Sequence, residues 1–480
     1  MALVPYPIPK EILTSFRKLR GFRLLVKGGP GTGKTLFTLT LCKTLKNGYV
    51  PFYITVRVTP EELYLDYPFI KDFLSPNNIL DAVTTSVTPT EDFAVAFKFS
   101  DKPVFLQQLY SLIKKTEKPA VIVIDSLEAL KSGLHLPNED FSLEEAILEI
   151  SRDTKSHAIF VSENINITPL DYIVDGIVEL EKSKDGRLIR HLKITKIRGK
   201  EIENPVPIFT LVNGEFKTLH FQMQSFYDEV TNLGLKTFKQ LENSENFIST
   251  GIKYLDNILG NGYRSGTLNI IEIRRAVGDR YDYMYLPTVI NQILNEKPVF
   301  IVPPAGIPAK AFKNILRKLV PLVPQEKFNK LVRLVDFTKK VVYDEGEVYD
   351  PHILSLMGEN LIDDYERIRS TVSEIEAIGK PTLMVIGLDT LQQVYGEGKL
   401  SSIIGSLVID AKQAGDVLVC LVKYGQRILD ALNHLADTHF VIDAHEGTVL
   451  TYGIIPYTPN LHPNINVEEG KYGVNLTPIV

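Results

Sequence analysis

Phe22-Arg-Leu-Leu-Val-Lys27 runs directly into Gly28-Gly29-Pro30-Gly31-Thr32-Gly33-Lys34-Thr35, and then into the apolar-periodic stretch Leu36 to Leu45. The order is strand, glycine-rich turn, helix. The turn fits the template G-x-x-x-x-G-K-[ST] at every fixed position. Glycines at 28, 31 and 33 let the backbone curl until successive N–H groups converge on phosphate oxygens. The start of the following helix adds the positive end of its dipole. Lys34 supplies a point charge for the outer phosphates, and the Thr35 hydroxyl is placed to ligate Mg²⁺. Gly29, Pro30 and Thr32 complete the cradle. The stretch predicts a nucleotide-phosphate site at the edge of an α/β sheet.

Such a site needs an acidic residue at the end of a neighbouring buried strand to complete the metal side. Ala120-Val-Ile-Val-Ile-Asp125 supplies one. An apolar run ending in Asp is also how a helix N-cap is written. Beside the phosphate loop, the Mg²⁺ role is the stronger reading of Asp125.

Strand-like and helical patterns alternate along the rest of the chain, which predicts parallel sheets. The first half has runs at Arg23–Lys27, Pro51–Val56, Ala120–Ile124, Ala158–Ser162 and Gly176–Leu180, then a hairpin through Lys184-Asp-Gly186 to His191–Arg198. The second half repeats the order at Gly266–Ile273, Pro298–Val302, Leu331–Phe337, Thr382–Leu388, Val417–Val422, Phe440–Asp443 and Thr448–Ile454. The fold class expected is α/β, as two tandem domains. Each has a mostly parallel central sheet, flanking helices and a terminal β-hairpin. The boundaries expected are 1–218 for the first domain, 219–246 for a polar linker and 247–480 for the second domain. Near the start, Ile12, Phe16 and Leu19 mark an amphipathic helix ending at Gly21, whose basic residues read as a solvated face, with DNA contact as the alternative.

Composition narrows the function classes. The chain has 480 residues, of which 44% are hydrophobic and 23% charged, so disorder is excluded. No uninterrupted apolar run of about 18 residues offers a membrane span. The N-terminus lacks the basic region of a secretory leader. The two cysteines, Cys42 and Cys420, make neither a disulfide framework nor a zinc site, and imply a reducing, cytoplasmic setting. The net charge of −5 argues against wholesale nucleic-acid binding but leaves local patches open.

Further residues carry a family resemblance. They are Ser162-Glu163 at a strand end, Asp175-Gly-Ile-Val-Glu-Leu180, and Gly186-Arg187 followed by Lys193-Ile-Thr-Lys196-Ile-Arg198-Gly199. In the second half they are Ser249-Thr-Gly-Ile-Lys-Tyr-Leu-Asp256-Asn-Ile-Leu-Gly260-Asn-Gly262 and Ser265-Gly266 to Glu272. Both halves resemble RecA-superfamily ATPases of the KaiC-like type, arranged as in archaeal tandem proteins. The opening of the chain also resembles the gas-vesicle regulatory ATPases. The resemblance implies two RecA-like domains, ATP with Mg²⁺, a homo-oligomer and a protein partner such as a transcription regulator. It makes Lys34 catalytic. It also implies that Lys196 and Arg198 reach the γ-phosphate of a neighbouring subunit. Read alone, that alternating pair fits either an anion-binding edge or a solvated one that deters aggregation.

Two departures from the family pattern stand out. The second half has Ile273-Arg274-Arg275-Ala276-Val277-Gly278-Asp279-Arg280-Tyr281 where its phosphate loop belongs. One glycine remains, and Asp279 replaces the lysine, so this half is not expected to hold ATP in the usual way. Asp389 then keeps a strand-end position with no metal to hold, and Arg274, Arg275 and Arg280 read as a solvated basic loop, with an acidic partner or nucleic acid as the alternative. In the first half, Arg57 and Val58 stand where the family has the paired glutamates that activate water. Loss of a general base is worth about 10²–10⁴ in rate. Slow hydrolysis is expected, with Glu163 or Glu62 as substitute bases and Glu61 beside it. The alternatives are a switch with little turnover and a DNA-associated recombinase paralogue.

Overall fold

The computed structural model describes residues 7–56, 58–81, 102–183, 186–219, 224–337 and 350–480. Arg57 and the turn residues Lys184 and Asp185 lie outside them. The chain forms two compact units, the first ending at Leu219.

Helix α1 (Lys10–Lys18) opens the first unit, followed by β1 (Arg23–Gly28), α2 (Lys34–Leu45), β2 (Val50–Thr55) and α3 (Pro60–Asp66). Then come β3 (Ile79–Asp81), α4 (Lys102–Lys114), β4 (Ala120–Asp125), α5 (Leu127–Gly133), α6 (Ser142–Thr154), β5 (His157–Ser162), α7 (Pro169–Ile173), β6 (Gly176–Ser183) and β7 (Ile189–Ile197). The sheet order among the described residues is β3-β2-β4-β5-β1-β6-β7. All neighbours are parallel except β6 and β7, the expected closing hairpin. The five β-branched or small apolar residues of β4 are buried, as a strand covered on both faces requires. One apolar layer gathers α1 and α2 on the sheet, and another gathers α4, α5 and α6.

The second unit repeats this plan. Its sheet runs Ile353–Leu356, Val332–Phe337, Val299–Val302, Leu383–Gly387, Val417–Lys423, Thr267–Ile273, Thr438–His445, Thr448–Ile455, Leu461–Glu468 and Lys471–Pro478. The first seven are parallel, and the last three are added antiparallel. The chain is therefore two RecA-like α/β domains, each ending in antiparallel strands. The final hairpin, 461–478, extends the second sheet beyond the sequence expectation. Residues 224–246, read in sequence as linker, carry the helix Phe226–Asn232, whose N-cap is Ser225. Phe226, Val230 and Phe238 are buried in the core of the second unit. No helix among the described residues is long and apolar enough to cross a membrane.

The start of β5 holds a buried histidine. His157 Nδ1 accepts the Phe22 N–H at 2.8 Å, and its ring packs on Phe16 and Tyr49. Burial pulls the imidazole down to about 4. The folded value lies below the unfolded one near 6.5, so this contribution is complete above pH 6.5 and is lost as pH falls toward 4. Denaturant titrations at pH 7.5 and pH 5 should show the first unit weakened by about 2 kcal/mol at the lower pH. His157→Asn, which keeps an acceptor but cannot titrate, should flatten that difference. An unchanged slope in the variant would contradict the assignment.

Candidate nucleotide site

β1 lies between β5 and β6 with Leu24, Leu25 and Val26 buried, so the point where its C-terminal end emerges is fixed. The phosphate loop begins there. A Cβ on Gly28 would stand 2.6 Å from Leu180 O and 2.7 Å from Thr32 Oγ1, so only glycine fits. Gly33 caps α2 in left-handed backbone at φ 98°, with Leu211 packed 3.0 Å from where a Cβ would be. α2 has no acidic residue in its first turn, which leaves its positive end available to an anion.

The side chains converge on the same place. Lys34 is buried and curls over the loop, donating to Gly28 O at 2.7 Å and Gly29 O at 2.9 Å. Thr32 Oγ1 closes the turn on Gly29 O at 2.9 Å. Thr35 Oγ1 donates to Asp125 Oδ2 at 2.7 Å, across 90 residues of sequence. Tyr53 on β2 donates to the same oxygen at 2.6 Å. Burial and then the Asp125 charge hold the Tyr53 phenol well above its usual range, so it remains a donor. The loop, Thr35, Tyr53, Asp125 and Glu163 line a cleft of about 430 Å³, with Asp66, Tyr67 and Leu211 at its sides. A hydroxyl and a carboxylate at one point are hard oxygen donors that suit Mg²⁺, which takes its remaining ligands from water and phosphate.

The other expected site residues are more scattered. Glu163 lines the cleft, and its N–H donates to Glu128 Oε2 at 3.2 Å. Val58 is also in the lining, where it offers no proton acceptor on its side chain. Glu62 is not in the lining. Its carboxylate accepts the Thr59 N–H at 2.8 Å, while Thr59 Oγ1 accepts the Glu62 N–H at 3.3 Å, a reciprocal helix cap. Glu61 is exposed beside it. Lys196 pairs in register with Ile177, and a bulge beside it interrupts the strict alternation expected along β7. Lys196 Nζ donates to Asp171 O at 2.9 Å. Arg198 lies past the end of β7, is 74% exposed, and stands 3.6 Å from Asp175. Asp175 in turn holds Arg23 at the start of β1, so Arg198 sits at the sheet edge opposite its own phosphate loop.

Residues 13–195 match the family model described as GvpD gas vesicle protein, P-loop domain. This stretch is similar to a GvpD-type P-loop domain and holds the loop and cleft described above. The similarity continues past it. The chain is 28% identical to protein GvpD2 of Halobacterium salinarum, covering 98% of this chain and 96% of that protein. It is 26% identical to protein GvpD1 of the same organism, with the same coverage. The UPF0273 protein PH0284 of Pyrococcus horikoshii is 26% identical over 37% of this chain and 76% of its own length.

In the second unit the turn after the central strand Thr267–Ile273 is built differently. Gly278 is followed by an exposed Asp279, and Arg280 folds back on its own turn. Its guanidinium donates to Val277 O at 2.9 Å, Ala276 O at 2.9 Å and Gly447 O at 3.0 Å. Arg274 pairs with Glu272 at 3.1 Å, and Arg275 is exposed. The reading of one solvated basic loop therefore holds for Arg275 and not for Arg280. Asp389 lies in the first turn of the helix Leu388–Tyr395 rather than at the strand end. Lys423 Nζ meets its Oδ2 at 2.6 Å, and the Ala305 N–H donates to the same oxygen at 3.0 Å. The Asp389 carboxylate is thus neutralised by an ammonium of its own unit.

Removing one partner of that pair strands the other. Lys423→Met should lower the stability of the second unit by about 1–3 kcal/mol, discounted for partial exposure of the lysine. Lys423→Met with Asp389→Asn should recover most of the loss in denaturant unfolding. Additive losses would show that the two side chains do not depend on each other.

Proposed function

We propose that the first unit binds MgATP, hydrolyses it slowly, and presents its nucleotide state to a protein partner in a gas-vesicle control system. The observation that carries the reading is the meeting of Thr35 and Asp125 beside a glycine-shaped loop with a buried lysine. In this reading Gly28 to Thr35 hold the phosphates through backbone N–H groups, and Lys34 exchanges its loop carbonyls for phosphate oxygens. Thr35 and Asp125 would hold Mg²⁺, which supplies charge neutralisation at the outer phosphates. Tyr53 keeps the Asp125 carboxylate aimed at Thr35.

Slow turnover follows from what lines the cleft. Val58 brings no proton acceptor, and Glu62 is engaged in its cap. Glu163, which follows the last residue of β5 and lines the cleft, is the carboxylate assigned here to orient a water. The gas-vesicle setting is supported by the family description of the P-loop domain and by similarity to GvpD1 and GvpD2 along nearly the whole chain. A nucleotide held long and cleaved slowly suits a switch that a partner reads. Lys196 and Arg198 are several residues of strand away from their own loop, so any contact with a γ-phosphate must be made to a second copy. The reading therefore includes a homo-oligomer.

Equilibrium binding of a fluorescent ATP analogue with Mg²⁺, paired with phosphate release, tests this reading. Wild type should bind, and Lys34→Ala should lose binding by about 100-fold or more, because a buried charge-assisted contact is removed. Phosphate release should be slow in wild type and should fall further in Glu163→Gln with binding intact. Equal binding by wild type and Lys34→Ala would overturn the reading.

A further inference from the structure

Two cations beside the phosphate loop have no part in the mechanism above. Lys182 on β6 and Arg190 on β7 are direct cross-strand partners. Like charges in that position repel and weaken a hairpin unless something opposite takes them up. Here they turn to consecutive carbonyls of the loop, and Arg190 Nε also donates to Val480 O at 2.5 Å. Lys182 Nζ donates to Pro30 O at 3.0 Å, and Arg190 Nη1 donates to Gly31 O at 3.1 Å. The approach is close, since a Cβ built on Gly31 would stand 3.1 Å from Lys182 Nζ. β6 also pairs with β1 up to the first loop residue, Leu180 against Gly28. The hairpin therefore holds the loop at three residues, Gly28, Pro30 and Gly31.

The direction of these contacts matters. A trans peptide is planar, with its C=O and N–H pointing opposite ways. The carbonyl of Pro30 shares a peptide with the N–H of Gly31, and that of Gly31 with the N–H of Thr32. A cation on each carbonyl fixes the tilt of that peptide and draws electron density toward the oxygen. The N–H at the other end then points away from the hairpin and carries more positive charge.

We propose that Lys182 and Arg190 form a cationic clip on the outer side of the phosphate loop, which sets the loop amides for phosphate and raises its affinity for nucleotide. They act as positioning residues, through the loop and not by touching the ligand. This rests on the nucleotide reading of the loop. Lys182 is exposed, so solvent screening keeps its share modest.

The test uses the full chain and a fluorescent ATP analogue with Mg²⁺. Lys182→Met and Arg190→Met keep the apolar stems and remove the donors. Each should weaken binding about 2–5-fold and the double variant about tenfold, while Lys182→Arg and Arg190→Lys stay close to wild type. Hydrogen exchange on the nucleotide-free protein supplies the second readout. Amides of residues 28–35 should exchange faster in the double variant, with the central strands and the thermal midpoint unchanged. Wild-type affinity in the double variant, with binding still lost in Lys34→Ala, would overturn the clip and leave the nucleotide reading standing. Weaker binding with unchanged loop exchange would also overturn it, since the side chains would then be touching the phosphates directly. No binding by wild type would remove the nucleotide reading, and the clip with it.

Discussion

One carboxylate oxygen organises the first unit. Asp125 Oδ2 receives the hydroxyls of Thr35 and Tyr53, which come from the start of α2 and from β2. Three segments far apart in sequence are thereby tied at the C-terminal edge of one sheet. The tie depends on the strands beneath it. Parallel pairing sets Thr55 beside Asp125, and two residues earlier Tyr53 beside Val123. A shift of one residue in that register would turn Tyr53 to the other face and leave Asp125 with a single hydroxyl partner.

The second unit keeps the sheet and has changed the chemistry at its edge. Its sheet-edge carboxylate, Asp389, is held by Lys423, and Arg280 takes up two carbonyls of its own turn, Ala276 and Val277, together with that of Gly447 in a neighbouring hairpin. Both changes serve the same need. Carbonyls and a carboxylate gathered at a sheet edge require positive partners, and a buried unpaired charge is costly. In this unit they come from its own side chains. In the first unit the Thr35–Asp125 pair stands beside the start of α2, whose first turn carries no acidic residue.

Much of this was legible in the residues. The strand runs were readable because buried parallel strands are continuous and apolar, and the phosphate loop because its chemistry needs fixed residue types at fixed spacing. The role of Tyr53 was hidden, since a tyrosine within an apolar run reads as core and only the register shows its hydroxyl meeting Asp125. Lys182 and Arg190 were equally silent, because pairing across a hairpin leaves no mark in either strand alone. Glu62 showed the opposite difficulty. Thr59-Pro60-Glu61-Glu62 carries a capping signature, and the cap holds that carboxylate away from the cleft. The bulge next to Lys196 broke an alternation that sequence could only assume. The helix Phe226–Asn232 was missed because seven residues are too few to display a periodic face among polar neighbours.

The central claim is that one half of the chain holds nucleotide and the other has filled its own site. Photolabelling with an azido-ATP analogue, followed by peptide mapping and a count of label per chain, addresses it most directly. The account predicts about one label per chain, on peptides flanking Gly28–Thr35, Tyr67 or Leu211, and none after Lys34→Ala. Label on peptides spanning Arg274–Tyr281, or two labels per chain that survive Lys34→Ala, would contradict it.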